Sequence, residues 1–347
     1  MRTIIFSILT VIVFQSCSST QNRVQSVQKE VVLNDTISIR ALAVSKKQLW
    51  YAGSQSKAGT LFLDSKEHKQ VHLPTPKKVE FRSLACNNYD VFFLSIGNPA
   101  QLFAGTDQLN HLQEVYNESH EKVFYDAIAF SDTQHGIAIG DSTDKALAVL
   151  LTSDGGKNWH RIPENDAPLL AEGEAAFAAS NTNIITQKNT IWVITGGKKS
   201  RIWKSVDYGN HWQCIEIPIK QGGEMTGAFS AAFYNSKIGV VAGGDYSQQN
   251  SKDSNLVLTL DGGITWKKIT YAEGPGYISC IQFVPGSQGK ELVTTGAGGT
   301  YFSADQGAHW MQLDADATFY TLRFLDKSTY FAAGKNKIVK FTLVRGK

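Results

Sequence analysis

An all-β fold of repeated antiparallel sheets set around an axis is predicted by three observations. First, an eight-residue pattern, Ser/Thr-x-Asp-x-Gly-x-x-Trp, is written four times, at 152–159, 205–212, 259–266 and 303–310. Such spacing is that of a repeat protein built from small sheets. Second, each copy lies between short strand-like runs, as in Ala148-Val149-Leu150-Leu151 before and His160-Arg161-Ile162 after, which reads as a β-hairpin. Third, no second domain and no helical segment stands out along the 347 residues.

The pattern is a turn. Its Asp accepts hydrogen bonds from the loop's own amides, the following Gly takes a positive φ without a Cβ clash, and the hydroxyl residue two before the Asp locks the same loop. The Trp returns at the start of the next strand, where its ring covers apolar surface between neighbouring repeats. Asp154, Asp207, Asp261 and Asp305, with Trp159, Trp212, Trp266 and Trp310, are therefore read as structural. One Asp per repeat in the same local turn spreads the four carboxylates around a circle instead of pairing them for catalysis.

Phasing outward from the four hairpins gives repeats of four strands, with the Asp turn joining the third to the fourth. Seven result, at about 37–73, 79–116, 123–163, 175–218, 227–270, 276–313 and 318–344. The first two have decayed turns, Leu63-Asp64-Ser65 and Gly105-Thr106-Asp107, which keep an Asp and lack the Gly and Trp. The seventh ends near Val344 after only three strands. Open sheet edges are a liability, and a ring closes best when its first and last units share strands. The segment 27–33, which belongs to no repeat, is expected to supply the missing strand. The predicted fold is a seven-bladed β-propeller of four-stranded antiparallel blades over residues 27–347, closed by an N-terminal strand.

These motifs resemble the Asp-boxes, also called bacterial neuraminidase repeats, of β-propeller proteins such as sialidases, sortilin-type receptors and the photosystem II assembly-factor family. The resemblance covers nearly the whole mature chain. It is similar in style to the last of these families, whose blades open on a short aromatic-Arg-x-Leu-like strand and carry a second strand ending in Gly. Phe81-Arg82-Ser83-Leu84 and Ile39-Arg40-Ala41-Leu42 match that opening, and later blades depart from it.

The N-terminus reads as an export signal. Arg2 precedes an apolar run from Ile4 to Phe14 that is too short to span a bilayer as a helix, followed by Gln15-Ser16-Cys17-Ser18-Ser19. The small Ser16 before Cys17 resembles the lipobox of bacterial lipoproteins, which implies lipidation of Cys17 and an exported protein anchored in the cell envelope. A signal cleaved without lipid, giving a secreted protein, is the alternative. Residues 1–17 are thus assigned to the signal and lipobox, and 18–26 to a short linker. Cys86, Cys214 and Cys280 then remain, an odd number in separate repeats, which rules out a fully paired disulfide framework and points to core-filling thiols. No Cys-x-x-Cys or His-Glu-x-x-His spacing signals a metal, and no cofactor motif is present: the Gly-Ala-Gly-Gly run at 296–299 lacks the following helix of a phosphate loop. The formal net charge is +3, or +2 once Arg2 leaves with the signal, and Lys46-Lys47, Lys77-Lys78, Lys198-Lys199 and Lys267-Lys268 are scattered. Scattered basic pairs are solvated loops rather than a nucleic-acid stripe.

In a propeller the first strand of each blade lines the central channel, so equivalent positions form a ring. Aligning on the Ala-Leu-Ala-like core of that strand gives Arg40, Arg82, Asp126, Ala175, Phe229, Ser279 and Tyr320. Tyr320, Arg40, Arg82 and Asp126 fall side by side. Two guanidiniums beside one Asp can hold a carboxylate or an acidic peptide, since Arg makes bidentate contacts with such groups. The alternative is that the four neutralise one another as a structural plug. Polar residues after the Gly-ended second strands, Asn98, Asp141, Lys198 and Asp245, rim one face.

Three functions follow. The preferred one is a non-enzymatic envelope lipoprotein acting as an interaction or assembly scaffold, as the assembly-factor resemblance implies, with an envelope protein or acidic peptide as partner, membrane contact through lipid alone, no nucleic acid and a monomeric state. The second is a sialidase-like glycoside hydrolase. Sialidases need an Arg triad, a Tyr nucleophile with a Glu partner and an Asp acid/base, and Arg40, Arg82, Tyr320, Glu174 and Asp126 would supply counterparts. Against it, the early Arg-Ile-Pro triplet is missing, and Arg323 falls three residues beyond the ring position, where it is expected to point elsewhere. The third is a glycan- or small-ligand-binding module.

Overall fold

Short β-rich runs punctuated by Gly, Asn and Asp turns fold into a succession of antiparallel strands in the computed structural model, which describes residues 23–346. The signal segment, with Cys17 as the expected lipidation site, lies outside the described residues. The single helical element among them is the 3-10 turn Glu164–Asp166.

Among the described residues the strands group into six sheets, which corrects the seven separate blades expected from the sequence. Four sheets have four strands each and run through 81–118, 125–161, 184–216 and 278–314. Two have six. One adds the short pair Glu174–Ala175 and Gly196–Gly197 to the four strands from Thr226–Phe233 to Lys267–Lys268. The other is ordered Phe319–Phe324, Thr329–Arg345, Val24–Ser45, Gln48–Gly53, Lys57–Phe62 and His68–His72.

The second six-stranded sheet explains the difference in count. Val24–Ser45 is one continuous 22-residue strand that changes partners along its length. Its first part lies antiparallel to Thr329–Arg345, from Val24 opposite Arg345 to Ser38 opposite Lys335, and its second part pairs with Gln48–Gly53. The stretches assigned to the first and last blades are therefore fused through a shared strand. Pairing begins at Val24, inside the stretch 18–26 assigned to a linker.

Neighbouring sheets pack face to face, and this decides which strands are buried. Gln48–Gly53, Gly136–Gly140 and Leu292–Gly296 are buried at every position, whereas the outermost strands His68–His72 and Gln213–Glu216 are mostly open to solvent. The core is a series of seams between sheets: Phe92 and Leu102 pack with Ile128 and Trp159 at one, Ile139 and Val149 with Ile191 and Trp203 at the next.

The four Asp turns share one geometry. In the first, the Thr152 hydroxyl donates to Asp154 at 2.8 Å and accepts from the Gly156 amide at 3.1 Å, while the Asn158 amide donates to Asp154 at 3.0 Å. The pattern recurs at Asp207, Asp261 and Asp305, where the hydroxyl residue approaches at 2.7, 2.8 and 2.9 Å. Gly156 sits at φ +88°, and a Cβ there would lie 2.4 Å from the Phe92 ring. Burial pushes the Asp154 and Asp207 carboxyls up, but the turn's hydrogen bonds outweigh it and hold both at about 2. All four aspartates are spent on their own turns. The indoles are less uniform: Trp159 is buried, and Trp212, Trp266 and Trp310 are half-buried.

The first part of Val24–Ser45 covers what would otherwise be an open edge, with Val24, Leu33 and Ile37 joining the core. Deleting residues 24–34 is expected to give an aggregating product without a cooperative thermal transition. Size-exclusion chromatography and a melting curve check this; a monodisperse, cooperatively melting deletion would show that closure does not depend on this strand.

Candidate binding site at the axis

The ring positions read from the sequence share one backbone feature. In six of the inner strands the register slips by one residue where the strand begins, so that Arg40, Arg82, Asp126, Phe229, Ser279 and Tyr320 are each left without an opposite partner. Such bulges re-aim a side chain out of the ladder. Glycine opposite the bulge makes room for it: a Cβ on Gly53, Gly140, Gly243, Gly296 or Gly334 would stand 1.8–2.3 Å from a backbone carbonyl oxygen. Five of the six bulges thus have glycine opposite for a steric reason, and Ser95 takes that place opposite Arg82.

At one mouth of the axis Arg40 is half-buried. Its guanidinium lies over the Tyr320 ring, 4.2 Å from the centroid, and Nη1 donates to the Ala179 carbonyl at 3.1 Å. Burial, and then the nearby Arg82, lower its pKa, while Tyr277, Tyr320 and Tyr246 act in the opposite sense. Among the described residues no carboxylate pairs with it. Arg82 is paired with Glu80 through Nε at 2.7 Å and Nη2 at 2.6 Å. Beside Arg40, Tyr277 stands edge-on to Phe229 and Tyr246, and Phe229 stacks on Phe177 at 4.1 Å. Tyr246 and Met225 are exposed.

Asp126 is fully buried, and neither carboxylate oxygen makes a well-formed hydrogen bond, the Ala178 amide being its nearest donor. Burial, with Asp141 close by, pushes its carboxyl well above the usual range; the Arg82 charge and the Ala178 amide act against this without prevailing. Asp141, which accepts from the Ala176 amide at 3.0 Å, is itself pushed up by burial to about 6.

The sequence placed Ala175 in the ring, and the structure corrects this. Ala175 pairs with Gly196, and the following segment 176–183 crosses the axis instead of lining it. The Asn181 side chain donates to the Leu84 carbonyl at 2.7 Å and accepts from the Ile128 amide at 3.0 Å. The Ser180 hydroxyl donates to the Ser279 carbonyl at 2.6 Å, and the Ser180 carbonyl accepts from Thr321 at 3.0 Å. The Thr182 hydroxyl donates to Ser230 at 2.7 Å. With Arg40 on Ala179, the crossing segment is tied to strands all round the ring.

Arg323, expected to point elsewhere, is a second correction. It reaches the crossing segment from the other end, Nη2 donating to the Asn181 carbonyl at 2.9 Å and the Ser180 carbonyl at 3.2 Å. Extended-strand alternation could not reveal this, because the acceptors belong to a segment that the sequence phased as part of a blade. Glu174 joins neither mouth. Its buried carboxylate is taken up by Arg201, by the Thr195 hydroxyl and by the Ala171 amide, so it is not brought to Tyr320 or Asp126.

The architecture defines an all-β propeller with a filled axis and arginine-bearing mouths. No family model matches the chain. Among curated proteins, the xyloglucanase Xgh74A of Acetivibrio thermocellus is 24% identical over 155 residues, which is 44% of this chain and 15% of that enzyme. The chain thus matches a small part of that relative's length. Among solved structures, YCF48 bound to D1 peptide superposes with a TM-score of 0.64 at 13% identity, covering 92% of this chain and 97% of the other. YCF48 from Cyanidioschyzon merolae gives 0.63 at 12%, covering 92% and 99%, and the WD40 repeats of RRP9 give 0.64 at 11%, covering 93% and 100%. At these identities the likeness is one of fold.

Asp141 binds its proton more tightly folded than unfolded. Its contribution to stability is therefore full below the unfolded value of about 3.9 and is lost as pH rises through about 6. Asp141→Asn is expected to melt above wild type at about pH 7.5 and to converge with it towards about pH 4.5. Calorimetry at the two pH values checks this; an Asn variant destabilised equally at both would mean that the carboxylate is not held against its preference.

Proposed function

We propose that this chain is a non-enzymatic interaction scaffold of the bacterial cell envelope, and that it holds an acidic peptide segment of a partner protein at the mouth marked by Arg40. One observation carries the reading. Arg40 is a desolvated guanidinium with a neutral carbonyl and an aromatic ring as its partners and no carboxylate. A buried charge without a counter-ion is costly, and a carboxylate brought by a ligand forms charge-assisted, bidentate bonds to it. Arg82 adds positive potential beside it, and Tyr246 and Met225 offer adjacent apolar contact. The superposed propeller with a bound D1 peptide supports peptide binding as a use of this fold, although fold alone does not fix function. Envelope anchoring through Cys17 rests on the leader sequence; no helix among the described residues is long and apolar enough to cross a membrane. Cys17→Ser is the variant expected to release the chain from membrane fractions, and retention there would remove the lipid anchor from the account.

The xyloglucanase match favours a second reading, a glycoside hydrolase. Glycoside hydrolysis ordinarily uses two carboxyl groups flanking the scissile bond, or a Tyr nucleophile in sialidases. Glu174 is consumed by Arg201 and Asp126 has no exposed surface, which weighs against this reading.

The test is fluorescence anisotropy with a labelled poly-glutamate peptide on the full chain. Binding should weaken at least about ten-fold in an Arg40→Ala/Arg82→Ala variant, the scale of a lost charged hydrogen bond, and should fall with added salt. Equal binding by wild type and variant would remove this mouth from the functional account. Turnover of xyloglucan or a fluorogenic sialoside that Tyr320→Phe abolishes would replace the scaffold reading with the hydrolase.

A further inference from the structure

The opposite end of the axis carries a site that neither the repeats nor the scaffold reading uses. A cleft of about 410 Å³ opens where the inner strands end, lined by Ile185, Phe233, Phe283, Pro285, Gln282 and Arg323 among others. That volume lies within the usual range of small-ligand pockets, about 300–1,000 Å³. Its lining sets the apolar side chains Ile185, Phe233, Phe283 and Pro285 beside polar ones, and it contains no Asp or Glu.

Arg323 is the one cation lining the cleft. Its hydrogen-bond partners are all neutral: the carbonyls of Ser180, Asn181 and Leu322, the Thr321 hydroxyl and the Cys280 sulfur. Nη1 and Nη2 are committed to these groups, whereas Nε makes no hydrogen bond among the described residues. Carbonyl dipoles solvate the charge without cancelling it, so the cleft offers a positive pole with a few apolar side chains beside it. Such a pocket discriminates by pairing, because an anion that reaches the guanidinium gains a charge-assisted bond that a neutral analogue cannot make.

We propose that this cleft binds a small organic carboxylate with an apolar body, its carboxylate paired with Arg323 and its body against Ile185, Phe233 and Phe283. The site is separate from the Arg40 mouth. Arg40 lies above Tyr320 at the start of the strand Phe319–Phe324, Arg323 lies near its end, and the crossing segment 176–183 stands between them. Occupancy of one mouth therefore does not require the other.

Isothermal titration of the full chain with octanoate, and with 1-octanol as the uncharged counterpart, tests the proposal. Octanoate is expected to bind saturably and 1-octanol at least about ten-fold more weakly, the scale of one charged hydrogen bond. Arg323→Gln is expected to abolish octanoate binding. Since Arg323 also supports the crossing segment, the near-isosteric Gln282→Glu is the second variant. It supplies the cleft with its own carboxylate and is expected to weaken octanoate at least about ten-fold with an unchanged melting curve. No saturable binding, equal affinity for octanol or indifference to Gln282→Glu would each overturn the assignment.

Discussion

Eight residues of backbone laid across the axis, 176–183, are the constraint on which this propeller depends. Buried carbonyls and amides must find partners, and a strand in a sheet would find them in its neighbours. This segment instead finds them in the surrounding ring: Arg40 on Ala179, Thr321 on Ser180, Arg323 on Ser180 and Asn181, and Asn181 on Leu84 and Ile128. The axis is occupied by protein, and what chemistry it offers is confined to its two ends. Among the described residues no carboxylate pairs with either of the two arginines that hold the segment, so structural support and ligand recognition draw on the same side chains.

The ring owes its regularity to a steric device. Near the first inner pairs of six ladders one residue bulges out, and at five of them a glycine opposite admits the displaced backbone, Ser95 standing there at Arg82. The bulge makes the side chain at that position independent of the ladder's alternation. It also makes it free to vary, and around the ring it is Arg, Arg, Asp, Phe, Ser and Tyr. One half of the ring consequently carries the ionisable side chains Arg40, Arg82 and Asp126 and the other Phe229, Ser279 and Tyr320, an asymmetry suited to one ligand orientation.

The Asp turns were legible in the sequence because a turn is local: hydroxyl, Asp and Gly lie within five residues and satisfy one another. Six ring positions were legible for a related reason, since the bulge recurs at the same place in the inner ladders, five times with a glycine opposite. The number of sheets was not, because strand pairing is non-local. The residues of Val24–Ser45 carry no mark showing where the strand leaves one partner for another, and the phasing split into two blades what hydrogen bonding makes one sheet. The crossing segment was hidden by its composition. Ala-Ala-Phe-Ala-Ala reads as another inner strand, and only the partners brought by distant strands draw it across the axis. Arg323 and the poorly bonded state of Asp126 follow from that crossing and were hidden with it.

Amide hydrogen exchange across 176–183 in the full chain tests the filled axis most directly. Buried and tied on all sides, this stretch should exchange as slowly as the buried strands Gly136–Gly140 and Leu292–Gly296. Exchange as fast as that of the exposed turns would mean an open channel. It would contradict the arrangement from which both mouths derive their unpaired arginines.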